Sequence, residues 1–171
     1  MPVAADEPGC PSARPVSNLL GPPGWLAAER QGFVASLARL GGNITGLAFL
    51  AQGALEGKRL ELLKEAVPKA ARIAVVWNAT DQGMTLRYRE IEKAARLLHV
   101  EVQAHGVRQP DEFEVAFSAM TRQRPDAMFL VADVMTIMNR KRFIEFASTQ
   151  RIPAMYETDL HVRDGGLMSY G

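Results

Sequence analysis

The sequence has few of the residues that build covalent or metal cross-links. Its 171 residues include one cysteine, Cys10, which excludes an intramolecular disulfide framework and a cysteine-rich zinc site. The histidines, His99, His105 and His161, do not have the spacing of metal ligands. We therefore predict no metal site in this chain.

Long apolar runs and an excess of charge are also missing. No stretch of about 18 or more apolar residues occurs, which excludes a membrane-spanning helix. Lysine plus arginine (20) nearly balance aspartate plus glutamate (19), for a net charge of +1. A dedicated nucleic-acid-binding protein normally carries a basic excess. The sequence thus predicts no nucleic-acid partner and no membrane-spanning segment.

The glycine-rich and nucleophile motifs of common enzymes are absent. Neither G-x-G-x-x-G nor G-x-x-x-x-G-K-[ST] occurs, and the glycine pairs at 41–42 and 165–166 do not form a phosphate loop. The G-x-S-x-G turn of serine hydrolases is missing as well. We predict that the protein is not an enzyme and uses no cofactor.

Residues 1–30 differ from the rest of the chain. They contain six of the ten prolines and offer little periodic apolar surface. They lack the basic start and the apolar core of about 7–15 residues that a secretory signal needs. We interpret them as an irregular tail, disordered or foreign to the domain, and the chain as written would be cytoplasmic.

Strands and helices are predicted to alternate from Leu60 onward. Short apolar runs rich in β-branched residues are typical of strands buried on both faces of a parallel sheet. Amphipathic stretches between them predict helices, one of which runs from 134 to about 150. The predicted strands are 72–78, 100–107, 127–132, 152–156 and 167–170. This rhythm predicts an α/β fold, a Rossmann-like or flavodoxin-like parallel sheet of order 2-1-3-4-5 flanked by helices.

Polar residues follow several of these strands. In open α/β sheets, ligands bind at the carboxyl ends of the strands. We expect Asp133 and Glu157 to pair with an ammonium group, and free N–H groups at helix N-termini to suit a carboxylate. Most such residues are helix caps in any protein, so that interpretation stays open beside the binding one. The candidate ligand-binding residues are Asn78, Thr80, Asp81, Asp133, Tyr156, Glu157 and Thr158.

Several stretches taken in order resemble one known family. The most specific are GFVASLARLGGNITGL at 32–47 and GKRLELLKEAVP at 57–68. Further matching stretches are 73–78, 152–156 and 165–171. The chain resembles bacterial ABC transporter substrate-binding proteins, of the group related to TrpX-type tryptophan-binding proteins. One departure is Leu40, which stands where the family usually has proline.

The resemblance implies one lobe of a type I periplasmic binding protein, in which two lobes close on a solute. It divides the chain into the tail at 1–30, a helix and hinge segment at 31–47, and an α/β lobe at 48–171 that ends in the return hinge strand. The family's first lobe, its secretory signal and the helices after the return crossing are not found in this sequence. The resemblance assigns hinge positions to Asn43, Thr45, Gly46, Ser169 and Tyr170.

The resemblance also implies a function. It points to a solute-binding component of an ABC importer, which takes a small amino-acid-like solute and docks on an ABC permease outside the cytoplasmic membrane. One lobe supplies about half of the contacts. Losing half of about 8 kcal/mol would move a micromolar affinity toward millimolar.

We further expect exposed hinge surface to favour a homodimer. Two alternatives are a small flavodoxin-like enzyme or regulator and a ligand-free interaction module.

Overall fold

The computed structural model describes residues 54–171. The predicted tail at 1–30, the segment at 31–47, the boundary at 48 and the hinge positions Asn43, Thr45 and Gly46 therefore lie outside the described residues.

The described chain alternates strands with helices. It forms α1 (Ala54–Ala66), β1 (Arg72–Asn78), α2 (Gln82–Leu97), β2 (Glu101–Val107), a 3-10 turn (Pro110–Glu112), α3 (Phe113–Gln123), β3 (Ala127–Leu130), α4 (Val134–Met138), α5 (Arg140–Gln150), β4 (Ala154–Tyr156), α6 (Asp159–Arg163) and β5 (Met168–Ser169). All four strand pairings are parallel, and the sheet order is β2-β1-β3-β4-β5. The predicted fold class and strand order are confirmed.

Each face of the sheet is covered by helices and forms its own core. Alternate residues of β1 point to opposite faces, as the period of two in a strand requires. Ala74 and Val76 pack with α3 and α5, whereas Ile73, Val75 and Trp77 pack with α1 and α2. Because β1 is buried on both faces, its sequence is a nearly continuous apolar run.

The region predicted to be helical from 134 to about 150 is helical except at Asn139, where the structure divides it into α4 and α5. The break falls at Asn139, whose backbone has φ −104° and ψ 14°. The Asn139 side-chain amide donates to the carbonyl of Met135 at 2.9 Å. The Asn139 backbone N–H donates to the same carbonyl at 3.3 Å, so this carbonyl at the end of α4 has two donors.

Candidate functional site

The carboxyl ends of β1, β3 and β4 meet at one edge of the sheet, because these strands are parallel neighbours. Asn78 ends β1, Asp133 follows β3, and Glu157 follows β4 directly. This topology brings together side chains that are far apart in the sequence. We call this surface the carboxyl edge.

Two of the predicted residues contact each other directly at the carboxyl edge. The Asn78 side-chain amide donates to Asp133 Oδ2 at 2.6 Å. The Asn78 Oδ1 atom accepts hydrogen bonds from the backbone N–H and the hydroxyl of Thr80, at 3.0 and 2.7 Å. Asn78 and Asp133 are half-buried and Thr80 is exposed, so this polar set is open to solvent.

Helix capping uses amides that the sequence predicted to be free for a ligand. Asp81 Oδ1 accepts from the backbone N–H groups of Gly83 and Met84, at 2.7 and 3.2 Å. Asp133 Oδ1 accepts from the N–H and the hydroxyl of Thr136, both at 2.8 Å, in a capping box. These caps stabilise the starts of α2 and α4. The expectation of free N–H groups is therefore wrong for these amides.

A second cluster at this edge is charged and buried. It consists of Glu56 and Arg59 from α1, Arg87 from α2, and Glu157, and we call it the ion quartet. Arg87 Nε donates to Glu56 Oε1 at 2.6 Å, and Arg87 Nη2 donates to Glu157 Oε1 at 2.5 Å. Arg59 Nη1 lies 3.5 Å from Glu56 Oε1 and 3.7 Å from Glu157 Oε1. Each arginine thus contacts both carboxylates.

Burial and the opposite charges act against each other in the ion quartet. Burial raises the pKa of Glu157 above its ordinary value, and the Arg87 and Arg59 guanidinium groups oppose that rise. Burial acts to lower the pKa of Arg87, but Glu157 and Glu56 outweigh it and the net shift is upward. Glu157 is bound to two arginines, so it is not available as the partner of a ligand ammonium group. The arginines thus occupy the position at Glu157 that the sequence predicted for a ligand, and the role of Asp133 stays a prediction.

Two further predicted residues sit away from the open polar set. Tyr156 is 1% exposed and belongs to the core on the α3 and α5 side, where its ring stacks on His161 with centroids 4.7 Å apart. Burial raises the pKa of Tyr156 to about 12. The Thr158 hydroxyl lies 2.9 Å from His161 Nδ1. Both residues support the packing of α6.

The two buried histidines make the stability pH-dependent. The Nε2 atoms of His105 and His161 are buried and, within residues 54–171, have no hydrogen-bond partner. Burial lowers the pKa of both rings, and for His161 the Arg140 charge adds to this while Thr158 and Asp164 oppose it. The unfolded chain binds protons below about pH 6.5, where the folded chain resists them. We expect the free energy of unfolding to fall as the pH drops below that value.

Urea denaturation at several pH values between 5 and 8 measures this effect. His161→Asn removes the titrating group, so we expect it to flatten part of the pH dependence. His99→Asn is the matched control, because His99 is exposed and its positive φ of 52° suits asparagine. Equal pH profiles for the wild type and His161→Asn would contradict the assignment.

The predicted return crossing at Ser169 and Tyr170 lies next to the ion quartet. Ser169 pairs with Tyr156 in the sheet, and the Tyr170 N–H donates to the Tyr156 carbonyl at 3.1 Å. The Tyr170 carbonyl accepts from Arg59 Nε at 2.6 Å.

Sequence reasoning missed Glu56, Arg59 and Arg87. A signal was nevertheless present, because Glu56 shares helical spacing with the core residues Leu60 and Leu63. A charged residue on an apolar stripe must be buried with a partner.

Other features of the described residues lie apart from this edge. A groove of about 300 Å³ lies beside α5 and the amino ends of β4 and β5, lined in part by Ile144, Ile152, Pro153 and Leu167. Within residues 54–171, no group of three or more His, Cys, Asp or Glu side chains is placed to hold a metal ion. None of the helices in that range combines the length and apolar character needed to cross a bilayer.

Comparison with known proteins identifies one family that this chain resembles. A family profile described as "ABC transporter substrate binding protein" matches residues 29–171. The chain is 26% identical over 141 residues to a tyrosine-binding protein of Clostridioides difficile (strain R20291). That alignment covers 82% of this chain and 39% of the relative, so the chain spans well under half of the relative's length.

Solved structures share the fold. A conserved domain protein from Vibrio cholerae superposes with a TM-score of 0.71 at 20% identity, covering 83% of this chain and 47% of that one. An ABC domain in complex with L-Trp from Streptococcus pneumonia superposes with a TM-score of 0.70 at 20% identity, with the same two coverages. The described residues thus have the architecture of one lobe of a type I periplasmic binding protein.

Proposed function

The chain belongs to the family of ABC transporter substrate binding proteins, and we propose that its lobe forms one wall of a cleft that binds a free amino acid with an apolar or aromatic side chain. The observation that carries this proposal is the open polar set of Asn78, Thr80 and Asp133 at the carboxyl edge. Ligands of open α/β sheets bind at this position.

Asp133 is the proposed partner of the ligand's ammonium group. Its carboxylate accepts three hydrogen bonds, from Asn78 Nδ2 and from the N–H and hydroxyl of Thr136. A carboxylate offers about four acceptor positions, so one more donor fits. The three existing bonds hold the group in place, which lowers the entropic cost of binding.

Apolar side chains next to Asp133 support an apolar ligand. Val134 and Met138 of α4 are 78% and 75% exposed, so their apolar side chains are open to a ligand. A ligand with an aromatic or aliphatic side chain would cover them. The relatives named for tyrosine and L-Trp bind amino acids of this class.

The remaining parts of the proposal follow from the family. The chain spans less than half of the length of the relatives, so import, docking on an ABC permease and action outside the cytoplasmic membrane are proposed for the complete protein. The proposed affinity of this lobe alone is weak, toward millimolar. The homodimer stays a prediction, because Asn43, Thr45 and Gly46 of the hinge surface lie outside the described residues.

A titration of the ¹⁵N-labelled chain followed by NMR tests the proposal even when binding is weak. We expect L-tryptophan and L-tyrosine to shift the amide signals of Asn78, Thr80 and 133–138. Indole-3-propionate, which lacks the ammonium group, should bind more weakly. Asp133→Ser keeps a helix-capping oxygen but removes the charge, and we expect it to weaken L-tryptophan binding about tenfold to a hundredfold.

Asp126→Ser is the matched control. It makes the same chemical change at the opposite edge of the sheet, where Asp126 accepts from the backbone N–H groups of Ala71 and Arg72. We expect this variant to bind L-tryptophan as the wild type does. The proposal would be wrong if millimolar amino acids shifted no signal at the carboxyl edge, or if Asp133→Ser left the affinity unchanged.

A further inference from the structure

The backbone of Tyr170 is held from two sides. Its N–H donates to the carbonyl of Tyr156 in β4, and its carbonyl accepts from Arg59 Nε in α1. The second contact joins residues 111 positions apart. By contrast, β5 itself is a strand of two residues, which supplies little pairing. The contact with Arg59 is therefore a large part of what positions the chain at this point.

Arg59 is itself fixed by the ion quartet. Its side chain is 6% exposed, and Nη1 lies between the carboxylates of Glu56 and Glu157. The guanidinium is planar and carries its five donors in a rigid arrangement. Because the N–H donors lie in the plane of the group, Nη1 can contact the carboxylates while Nε donates to the Tyr170 carbonyl.

The last residue of the segment also lies close to the ion quartet. A Cβ atom built at Gly171 would overlap the carbonyl oxygen of Glu157, and it would lie 3.5 Å from Arg59 Nη2. Glycine permits this close approach because it has no side chain. Tyr170 thus lies against Arg59, and Gly171 lies against Glu157.

We propose that Arg59 is a positioning residue that fixes the return crossing to the lobe, so that the hinge rotation begins beyond Tyr170. This inference rests on the proposed function, since it assumes that segment 169–171 is a crossing between two lobes. A crossing that is bound to the ion quartet samples fewer orientations before the lobes close than an unbound crossing does. Fewer orientations lower the entropic cost of closing the cleft.

Two charge-preserving variants distinguish the effect of the hydrogen bond between Arg59 and Tyr170 from the effect of the ion quartet as a whole. Arg59→Lys keeps the positive charge but replaces the rigid guanidinium by one ammonium group. That group cannot bind the two carboxylates and the Tyr170 carbonyl in the same geometry, so we expect the hydrogen bond to Tyr170 to weaken. Arg87→Lys makes the same chemical change at the other arginine of the quartet. Arg87 donates to Glu56 and Glu157, and its Nη1 atom donates to the Ala132 carbonyl at 3.4 Å. Amide hydrogen exchange, measured by NMR without ligand, reports on the local opening of the segment.

We expect the Tyr170 amide to exchange about tenfold faster in Arg59→Lys, and less than about twofold faster in Arg87→Lys, relative to the amides of β1. The carbonyl ¹³C shift of Tyr170 should move only in Arg59→Lys. Equal exchange in both variants, or an unchanged Tyr170 carbonyl shift in Arg59→Lys, would overturn the proposal.

A third variant keeps the proposal testable should Arg59→Lys not fold. Gly171→Ala keeps all four side chains of the ion quartet but adds a Cβ that overlaps the carbonyl oxygen of Glu157, so we expect faster exchange at Tyr170 in this variant too. Unchanged exchange in Gly171→Ala would count against segment 169–171 being seated on the quartet. None of these measurements uses an amino acid, so the failure of solute binding in the titration above is a separate result.

Discussion

Replacing Arg87 by methionine is expected to lower the free energy of unfolding by about 3–5 kcal/mol, because it removes one partner from a buried ion cluster. Arg87 Nη2 lies 2.5 Å from Glu157 Oε1, and Arg87 Nε lies 2.6 Å from Glu56 Oε1. The Glu56 and Glu157 side chains are 2% and 6% exposed, so water cannot replace the guanidinium without opening the structure. Urea denaturation measures the loss.

Two further variants identify the cause of that loss. The double variant Glu157→Gln/Arg87→Met removes one charge of each sign, and we expect it to be more stable than Arg87→Met alone. Arg163→Met removes a cation from an exposed pair with Asp159, where the side chains are 74% and 65% exposed, and should change stability by less than about 1 kcal/mol. A loss in Arg163→Met as large as that in Arg87→Met would show that burial is not the reason.

Replacing Phe143 by alanine is expected to cost about 3–5 kcal/mol. The Phe143 side chain is fully buried, and its ring meets Phe113 and Phe117 edge-on, with centroids 4.8 and 5.3 Å apart. The substitution removes the ring and leaves a cavity between α3, α5 and the sheet. Close-packed neighbours fill such a cavity only in part.

Phe146→Ala on the same helix is the matched control. Phe146 stacks on Phe117 at 4.4 Å, but it is only partly buried. Water can occupy part of the space that its ring leaves, so we expect a clearly smaller loss in the same urea experiment. Equal losses for the two variants would contradict the view that Phe143 is the centre of this core.

The sheet could be predicted from the sequence because its signals are local. A strand buried on both faces is apolar along its whole length, and β1 shows this directly in Ile73 to Trp77. Right-handed crossovers then restrict the order of parallel strands to a few arrangements. The break at Asn139 was not predictable from periodicity, because it changes the backbone of one residue between two helical stretches.

The candidate site could be predicted in its place but not in its details. Strand ends of a parallel sheet share one edge, so Asn78 and Asp133 were expected to approach each other, and they do. Tyr156 and Glu157 also lie at the carboxyl end of a strand, β4, and were expected at the same edge. Their side chains nevertheless turn to the core and to the ion quartet, respectively.

The sequence by itself determined the alternation of strands and helices, since each element depends on residues within about 15 positions of one another. That alternation in turn indicated a parallel sheet and the edge at which polar residues collect. Only the tertiary structure decided which carboxylates are open to a ligand. Arg87 meets Glu56 and Glu157 across 31 and 70 positions, and Arg59 meets Tyr170 across 111. Local patterns carry no information about such pairs, because the partners of a buried charge are chosen by the packing of whole helices. That packing closes Glu157 within the protein and leaves Asp133 at the open edge.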